Sequence, residues 1–258
     1  MHKLCSFFTI FLLMLLTGCN NDSTTEAQKT GVLKINLTDA PAVYDSVNIT
    51  FTQVSAHIDT NWVTVVNAPV TYDLLDLTNG NFTVLGAADV PAGHYTQIRI
   101  KIDAAEIGVD GEVYPLDVPS GAQTGLKFGP EFTIAAGSTY ELMVDFDVDQ
   151  SIVVTGPKNN PNSYKLKPHL RVVAMATAGS ISGKVNNPEH VPTAYAIQGT
   201  DTLTSAQVNL ADSIFKLSYL AGGLYTVSVR DTLDQSYAQD NVLVTVGSDT
   251  DLGVITLQ

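Results

Sequence analysis

Apolar and polar residues alternate along most of the chain from Gly31 onward, and this period of two predicts β-strands. Turns rich in Gly, Pro, Asn and Asp separate the alternating segments. No segment keeps a helical apolar stripe for more than about two turns. The pattern therefore predicts an all-β protein built from antiparallel β-sandwiches. The clearest alternating segments are 32–37, 95–103, 140–148, 164–173 and 224–229.

A stretch of small residues at 174–180 interrupts the pattern. This stretch (AMATAGS) separates a strong strand that ends at Val173 from a new strand that begins at Ile181. Because the folded part of the chain is long for one sandwich, the interruption is a natural boundary. The sequence predicts two sandwich domains in tandem, at 31–176 and 179–258.

A weak internal repeat favours two related units. Segments 91–96 and 220–226 both place a turn of small residues and Gly before a Tyr-Thr pair that opens an alternating strand. In sandwich folds, a tyrosine at such a corner fills the edge of the core while its hydroxyl bonds to the backbone. We expect this role for Tyr95 and Tyr225.

The first 18 residues have the pattern of an export signal. A basic start is followed by an apolar run at 7–16, which is too short to span a membrane. The next residues, Leu-Thr-Gly-Cys at 16–19, resemble the bacterial lipobox, and this resemblance implies that Cys19 carries a lipid anchor. An ordinary secretory signal with a chance cysteine is the alternative. Residues 19–30 then form a lipidated, flexible tether with a reach of about 18 Å.

The chain is strongly acidic, with 13 Lys and Arg against 26 Asp and Glu, a formal charge of −13. Removal of the signal takes away Lys3 and no acid, which leaves 12 basic side chains and a charge of −14. Nucleic-acid binding needs a basic surface, so nucleic acid is excluded as a partner. The expected membrane contact is the lipid at Cys19.

The sequence carries no catalytic signature. Cys5 leaves with the signal and Cys19 becomes a thioether, so no thiol remains for a disulfide or a nucleophile. Ser120 lies in Pro-Ser-Gly rather than in a Gly-x-Ser-x-Gly elbow. No phosphate-binding loop, dinucleotide fingerprint or closely spaced histidine pair is present. We therefore predict a protein that is not an enzyme and binds no cofactor.

The most regular polar feature is the acidic segment 141–149. Asp145, Asp147 and Asp149 share one face of the predicted strand, and they are the candidate ligands for Ca²⁺, a cation that binds carboxylate oxygens. Alternate residues on a straight strand are nearly 7 Å apart, however, and do not converge on one ion. The Gly and Glu of an EF-hand loop are also missing. The sequence therefore favours no metal.

A charge ladder is the other interpretation of the acidic segment. Segment 164–173 alternates in the opposite sense, with basic residues outward. If the two strands form a hairpin, opposite charges face each other and help to fix the register. The expected pairs are Asp147 with Lys165, Asp145 with Lys167, and Glu141 with Arg171. Arg99 and Lys101 are likewise predicted to point outward from their strand.

Trp62 is the only tryptophan and follows a turn at 59–61. Sugar-binding sites often contain exposed aromatic rings, so Trp62 with Tyr44 or Tyr72 is a candidate ligand platform. A tryptophan that plugs the edge of the core is the other interpretation, and this role is common directly after a turn.

The N-terminal unit resembles a family of bacterial envelope domains known as domain of unknown function 4382. The resemblance spans the whole unit, implies a secreted or lipid-anchored β-domain and supplies no activity. The segments that carry it are 37–41, 72–75, 91–99, 118–127, 145–148, 164–168 and 171–173.

Residues 179–258 resemble a carboxypeptidase-regulatory-like domain, which is a transthyretin-like sandwich. The segments that carry the resemblance are 179–185, 223–227, 246–247 and 252–257. The chain departs from the family at 212–215, where an Asp-Gly turn is common. Such domains are usually structural or adhesive and are grouped loosely with carbohydrate-binding folds.

These observations together predict a lipid-anchored protein of the bacterial envelope, held in the outer membrane and facing the periplasm or the outside. We expect a non-enzymatic binding or adhesion module for a glycan or an envelope protein. A structural accessory subunit of an envelope complex, without a ligand of its own, is the alternative. An enzyme that acts on glycans is the third hypothesis.

Overall fold

The computed structural model describes residues 29–156, 163–186 and 188–258, and most of these residues lie in strands. The all-β prediction is confirmed. The signal peptide and the predicted lipidation site at Cys19 lie outside the described residues. Within the described ranges, no helix is long and apolar enough to cross a membrane.

Buried apolar side chains form two separate clusters, one drawn from residues 33–174 and one from 181–255. The elements around the first cluster include two short helices, α1 (Ser120–Thr124) and α2 (Val148–Ser151). Its strands are β1 (Thr30–Asp39), β2 (Ser46–Ile58), β3 (Asn61–Val66), β4 (Val70–Asp73), β5 (Thr83–Pro91), β6 (Gly93–Val109), β7 (Glu112–Asp117), β8 (Leu126–Phe128), β9 (Phe132–Ile134), β10 (Thr139–Phe146), β11 (Ile152–Thr155), β12 (Ser163–Leu166) and β13 (Leu170–Ala174).

The strands of the first domain form two sheets that enclose its core. One sheet has the order β13-β10-β1-β5, and the other has the order β11-β12-β7-β6-β2-β3, with β4, β8 and β9 attached to β2 and β6. Alternate residues of β1 and β6 point inward and are fully buried, which is the arrangement that period two predicts. The pairings are antiparallel except for β1 with β10 and β7 with β12.

The second domain has a smaller sandwich with the sheets β17-β14-β20 and β16-β15-β18-β19. Among its described strands, β14 and β20 pair in parallel and the other pairs are antiparallel. Its strands are β14 (Ala178–Val185), β15 (Thr193–Gln198), β16 (Asp201–Gln207), β17 (Ile214–Ala221), β18 (Gly223–Arg230), β19 (Ser236–Val244) and β20 (Asp249–Ile255).

The predicted repeat is a structural corner that occurs once in each domain. The buried Tyr95 donates from its hydroxyl to the Pro91 carbonyl at 2.7 Å, and the buried Tyr225 donates to the Ala221 carbonyl at 2.8 Å. Each tyrosine follows the point where the chain crosses from one sheet to the other, from β5 to β6 and from β17 to β18. The expected role of both tyrosines is therefore confirmed.

The repeat extends to the first strand of each domain. The Gly137 amide donates to the Thr30 carbonyl, and the Gly247 amide donates to the Ala178 carbonyl, both at 2.8 Å. The strands β1 and β14 have the same neighbours: each pairs antiparallel with the strand before the corner and parallel with a late strand. Strands β1 and β14 thus occupy equivalent positions in the two domains.

The predicted charge ladder is wrong in its register and in one of its strands. Strand β10 ends at Phe146, and Asp147 caps helix α2 instead of continuing the strand. Lys165 lies on β12, which pairs with β11 in the other sheet. The helical turn diverts the chain through the β11–β12 hairpin before β13 returns to β10, where Asp145 faces Arg171. Glu141 instead forms a salt bridge of 3.2 Å with Lys34 on β1.

Tyr219 connects the two domains. It has a left-handed backbone (φ 57°) at a bulge of β17, and such bulges redirect side chains out of a sheet. Its carbonyl accepts from Arg171 at 2.6 Å, its hydroxyl donates to the Gly80 carbonyl at 2.7 Å, and its ring packs edge-on against Phe82. The Asn79 side chain also accepts from the Gln207 amide.

Candidate functional site

The structure places the three calcium candidates in different roles. Asp145 is buried and pairs with Arg171, while Asp147 accepts from the Gln150 amide at 3.0 Å as the cap of α2. Asp149 is exposed on that helix. In the ranges that the structure describes, no three His, Cys, Asp or Glu side chains are grouped so that they could hold a metal ion.

Asp39, at the end of β1, is a third buried carboxylate beside Asp145 and Asp147. Its side chain accepts from the Val148 amide at 3.0 Å and so ties α2 to β1. Burial raises the pKa of Asp39 well above its usual value, and the charges of Asp145 and Asp147 raise it further. Burial also raises the pKa of Asp147. Among the described residues, one buried oxygen of Asp39 and one of Asp145 have no hydrogen-bond partner.

A polar groove lies beside the domain junction, where Lys216 and Asp249 contribute to its lining. Asp249 accepts hydrogen bonds from Ser180 and Ser182. Burial acts to raise the pKa of Asp249, but these two hydrogen bonds and the charge of Lys216 outweigh it and lower the pKa. The polar side chains Ser180, Ser182, Lys216 and Asp249 therefore already interact with one another.

The aromatic residues proposed as a platform do not lie together. Tyr72 faces inward and packs 6.3 Å from the buried Phe51. Tyr44 packs against the same core, where burial and then the charges of Asp149 and Tyr164 raise its pKa. Trp62 belongs to neither core cluster. The three rings therefore do not form one surface.

Trp62 lies instead among basic side chains on the outer face of the larger sheet. It is half-buried on β3, opposite His57 on β2, and the two ring centroids are 5.0 Å apart. The Arg99 guanidinium carbon lies 4.3 Å from the centre of the Trp62 ring, and the Lys127 nitrogen lies 5.6 Å from it. Such contacts are attractive because the face of an indole ring is electron-rich.

Strands β6 and β8 place the cations of this surface beside one another. Arg99 and Lys127 are opposite each other across the β6–β8 pair, and Lys101 follows Arg99 on the same face of β6. A Cβ atom on Gly125 would come within 2.6 Å of the Arg99 side chain and 3.4 Å of that of Lys101, so both stems pack over this glycine. We refer to Trp62, His57, Arg99, Lys101 and Lys127 together as the cationic face.

The cations of this surface lack acidic partners. Among the described residues, neither Arg99, Lys101 nor Lys127 forms a salt bridge. Arg99 donates from Nε to the Ser55 hydroxyl at 3.3 Å, and His57 shares a hydrogen bond of 2.8 Å with Thr96. The outward direction predicted for Arg99 and Lys101 is confirmed, because the isoleucines that alternate with them are fully buried.

The sequence patterns did not predict that Lys127 and His57 belong to the cationic face. Lys127 lies on a strand of three residues, which is too short to show a period. The outward direction of His57 follows from alternation with the buried Ala56 and Ile58, but its position beside Trp62 depends on the pairing of β2 with β3. The available signal was the single Trp directly after the turn at 59–61, because a hairpin there returns Trp62 beside His57.

The described residues define an all-β protein of two sandwiches, and the first sandwich carries a basic, aromatic outer face. The family model described as "Domain of unknown function (DUF4382)" matches residues 30–168, which is more than half of the chain. The protein belongs to this family. No curated protein matches the chain.

Solved structures with some similarity include a fimbrial protein and a pilin of bacteria. The Bacillus anthracis TIE protein is 11% identical with a TM-score of 0.23, over 89% of this chain and 34% of that one. A fimbrial protein from Bacteroides ovatus is 10% identical with a TM-score of 0.24, over 89% of this chain and 50% of that one. The chain thus spans about a third and one half of the length of these two proteins. The minor pilin of Streptococcus agalactiae is 9% identical with a TM-score of 0.21, over 87% and 94% of the chains.

Proposed function

We propose that the protein is a lipid-anchored module of the cell envelope that binds a ligand through the cationic face and catalyses no reaction. The observation that carries this proposal is a cluster of three cations that form no salt bridge among the described residues, two of which lie over the only tryptophan of a strongly acidic chain. The lipobox-like segment 16–19 and the polar tether after it supply the anchoring half of the proposal.

The energetics of the cationic face favour a role in binding. Two cations about 7 Å apart repel each other by roughly 0.6 kcal/mol in water, and by more where the protein excludes solvent. The chain has twice as many acidic as basic residues, so acidic partners for these cations were available in its composition. The cation–π contacts with Trp62 offset part of the repulsion. An anionic ligand would remove the rest.

Anchoring can be tested by metabolic labelling with a clickable fatty acid. Full-length protein expressed in a Gram-negative host should incorporate the label and fractionate with membranes, whereas Cys19→Ala should lose the label. Cys5→Ala is the matched control, because it removes the other cysteine and should remain labelled. Label retained by Cys19→Ala, or no label in the unaltered protein, would refute the anchor.

Ligand binding can be tested on an array of glycans and envelope proteins. The probe is the chain from residue 20 onward, which contains every residue that the structure describes. Selective binding that is lost in the double variant Arg99→Gln, Lys127→Gln would support the proposal. Binding unchanged in this variant, or no binding to any array component, would contradict it.

A further inference from the structure

The Arg99 guanidinium is held in place but is not neutralised. Its Nε is bonded to Ser55, its carbon lies over the Trp62 ring, and its stem packs over Gly125. Among the described residues, neither of its Nη atoms takes part in a hydrogen bond. The planar fork of the guanidinium is therefore oriented by the protein while its outer N–H groups remain available for an oxyanion.

The neighbouring lysines extend this anion-binding position. Lys127 faces Arg99 across one strand pair, where directly opposite Cβ atoms are about 5 Å apart. Lys101 is two residues from Arg99 along β6, which corresponds to nearly 7 Å. A guanidinium binds carboxylate, sulfate or phosphate through two parallel hydrogen bonds, and an ammonium adds a point charge. The cationic face thus offers several anion contacts within about 10 Å.

The surroundings of the cationic face favour a hydroxylated polymer over a protein. Its neighbours on β2, β3 and β6 include the polar, uncharged Gln53, Thr64 and Gln97, and the exposed Asp103 follows Lys101 on β6. Among the described residues, none of the exposed large apolar side chains lies on these parts of the strands. Protein interfaces are centred on apolar anchors that fill pockets, which this surface lacks. The negative charge of the whole chain also disfavours an anionic membrane surface.

We propose that the cationic face binds an acidic polysaccharide. Arg99 pairs with a carboxylate or sulfate of one sugar residue, and Lys127 and Lys101 contact neighbouring anionic groups. Trp62 positions Arg99 from below and is not itself the stacking surface, because the cations cover its ring. This inference rests on the proposed function and specifies the chemical class of the ligand.

The single tryptophan makes the proposal directly measurable. Trp62 is the only Trp of the chain and contacts Arg99, so its fluorescence reports on events at this surface. The chain from residue 20 onward is titrated with oligogalacturonate, with sulfated dextran oligosaccharide and with neutral dextran oligosaccharide. We expect a saturable change in emission with at least one acidic oligosaccharide, weakened by added salt, and none with the neutral one. The two acidic probes distinguish carboxylate from sulfate.

Variants define the contribution of each cation. Arg99→Gln should weaken binding at least tenfold, and Lys127→Gln should weaken it about threefold to tenfold. Arg99→Lys keeps the charge but loses the fork, so an affinity between those of the unaltered protein and Arg99→Gln would identify bidentate pairing. Lys184→Gln is the matched control on an exposed position of the second domain and should bind normally. Thermal unfolding of each variant verifies that the fold is intact.

The proposal would be overturned by failure of both acidic oligosaccharides to bind, by equal binding of the neutral one, or by normal binding of a folded Arg99→Gln variant. Tighter binding of polyglutamate or of phosphatidylglycerol vesicles would reassign the surface to a peptide or a membrane. If the array finds another ligand that depends on Arg99 and Lys127, the proposed function stands while this inference fails. If the array also finds nothing, both fail.

Discussion

Arg171 donates a hydrogen bond of 2.6 Å to the backbone carbonyl of Tyr219 and, from its other terminal nitrogen, binds the buried Asp145. One guanidinium therefore joins the last strand of the first sandwich to the bulge of the second. The Asp145 side chain is only 4% exposed and that of Arg171 is 17% exposed, so water can replace neither partner fully.

Replacement of Arg171 by Ala should destabilise the protein strongly. Removal of one partner from a buried ion pair leaves the other charge without compensation, which costs about 3–5 kcal/mol. We expect urea unfolding to show a loss of about 3 kcal/mol in the free energy of unfolding. Lys165→Ala, at an exposed position, should cost less than about 0.5 kcal/mol. If Arg171→Ala lowered the free energy of unfolding by less than about 1 kcal/mol, the ion pair with Asp145 would not be important for stability.

The buried carboxyl of Asp39 should make stability depend on pH. Its pKa is raised in the folded state, so the folded protein binds this proton more tightly than the unfolded chain does. The contribution of Asp39 to stability is therefore present at low pH. It is lost as the pH rises from the usual value of 3.8 through the raised pKa. Asp147 contributes in the same direction.

The variant Asp39→Asn tests this linkage, because the amide keeps an acceptor for Val148 and removes the charge. Relative to the unaltered protein, the variant should gain stability as the pH rises from 3.8 to the raised pKa of Asp39, and the gain should level off above it. Melting temperatures measured across this range give the difference directly. Asp89→Asn, at an exposed position of β5, should give a flat difference. If the difference in melting temperature between Asp39→Asn and the unaltered protein did not change with pH, the Asp39 carboxyl would be charged in both the folded and the unfolded state.

The corner tyrosines should contribute similarly to the two domains. Tyr95→Phe and Tyr225→Phe each remove one hydrogen bond to a backbone carbonyl, and we expect each to cost about 1–1.5 kcal/mol. Calorimetry should show lower melting temperatures for both. Tyr237→Phe, whose hydroxyl makes an exposed contact with Gln239, is the control and should change stability by less than about 0.5 kcal/mol. If all three variants changed stability by equally small amounts, water would satisfy the Pro91 and Ala221 carbonyls in place of the tyrosine hydroxyls.

Local patterns in the sequence predicted the strands and the corners because both depend on neighbouring residues. The charge ladder failed at Asp147, where alternation continues in the sequence although the strand has ended. The helical turn there is held by a hydrogen bond from the Val148 amide to the Asp39 side chain, and these two residues are 109 positions apart in the sequence. A pattern within 141–149 could not reveal this contact.

Local sequence patterns were also insufficient to predict which residues form the cationic face. The outward direction of Arg99 follows from period two, but its contact with Trp62 crosses the intervening strand β2 and depends on the order of the sheet. The platform of three aromatic rings failed because Tyr72 and Trp62 point to opposite faces of neighbouring strands. Which strands are adjacent, and in which register, is decided by tertiary packing.

The two ends of β1 give the molecule a direction. The chain enters at Lys29, whose carbonyl accepts from the Ala92 amide, whereas the other end of β1, at Asp39, is close to Asp145 of the domain junction. Ten strand residues separate these ends by about 33 Å. The lipid anchor that we propose at Cys19 would therefore connect to the end of the first sandwich that lies opposite the domain junction. Strand β5 ends beside Thr30 and β6 starts directly after it, so Arg99 lies partway along the first sandwich between this end and the junction.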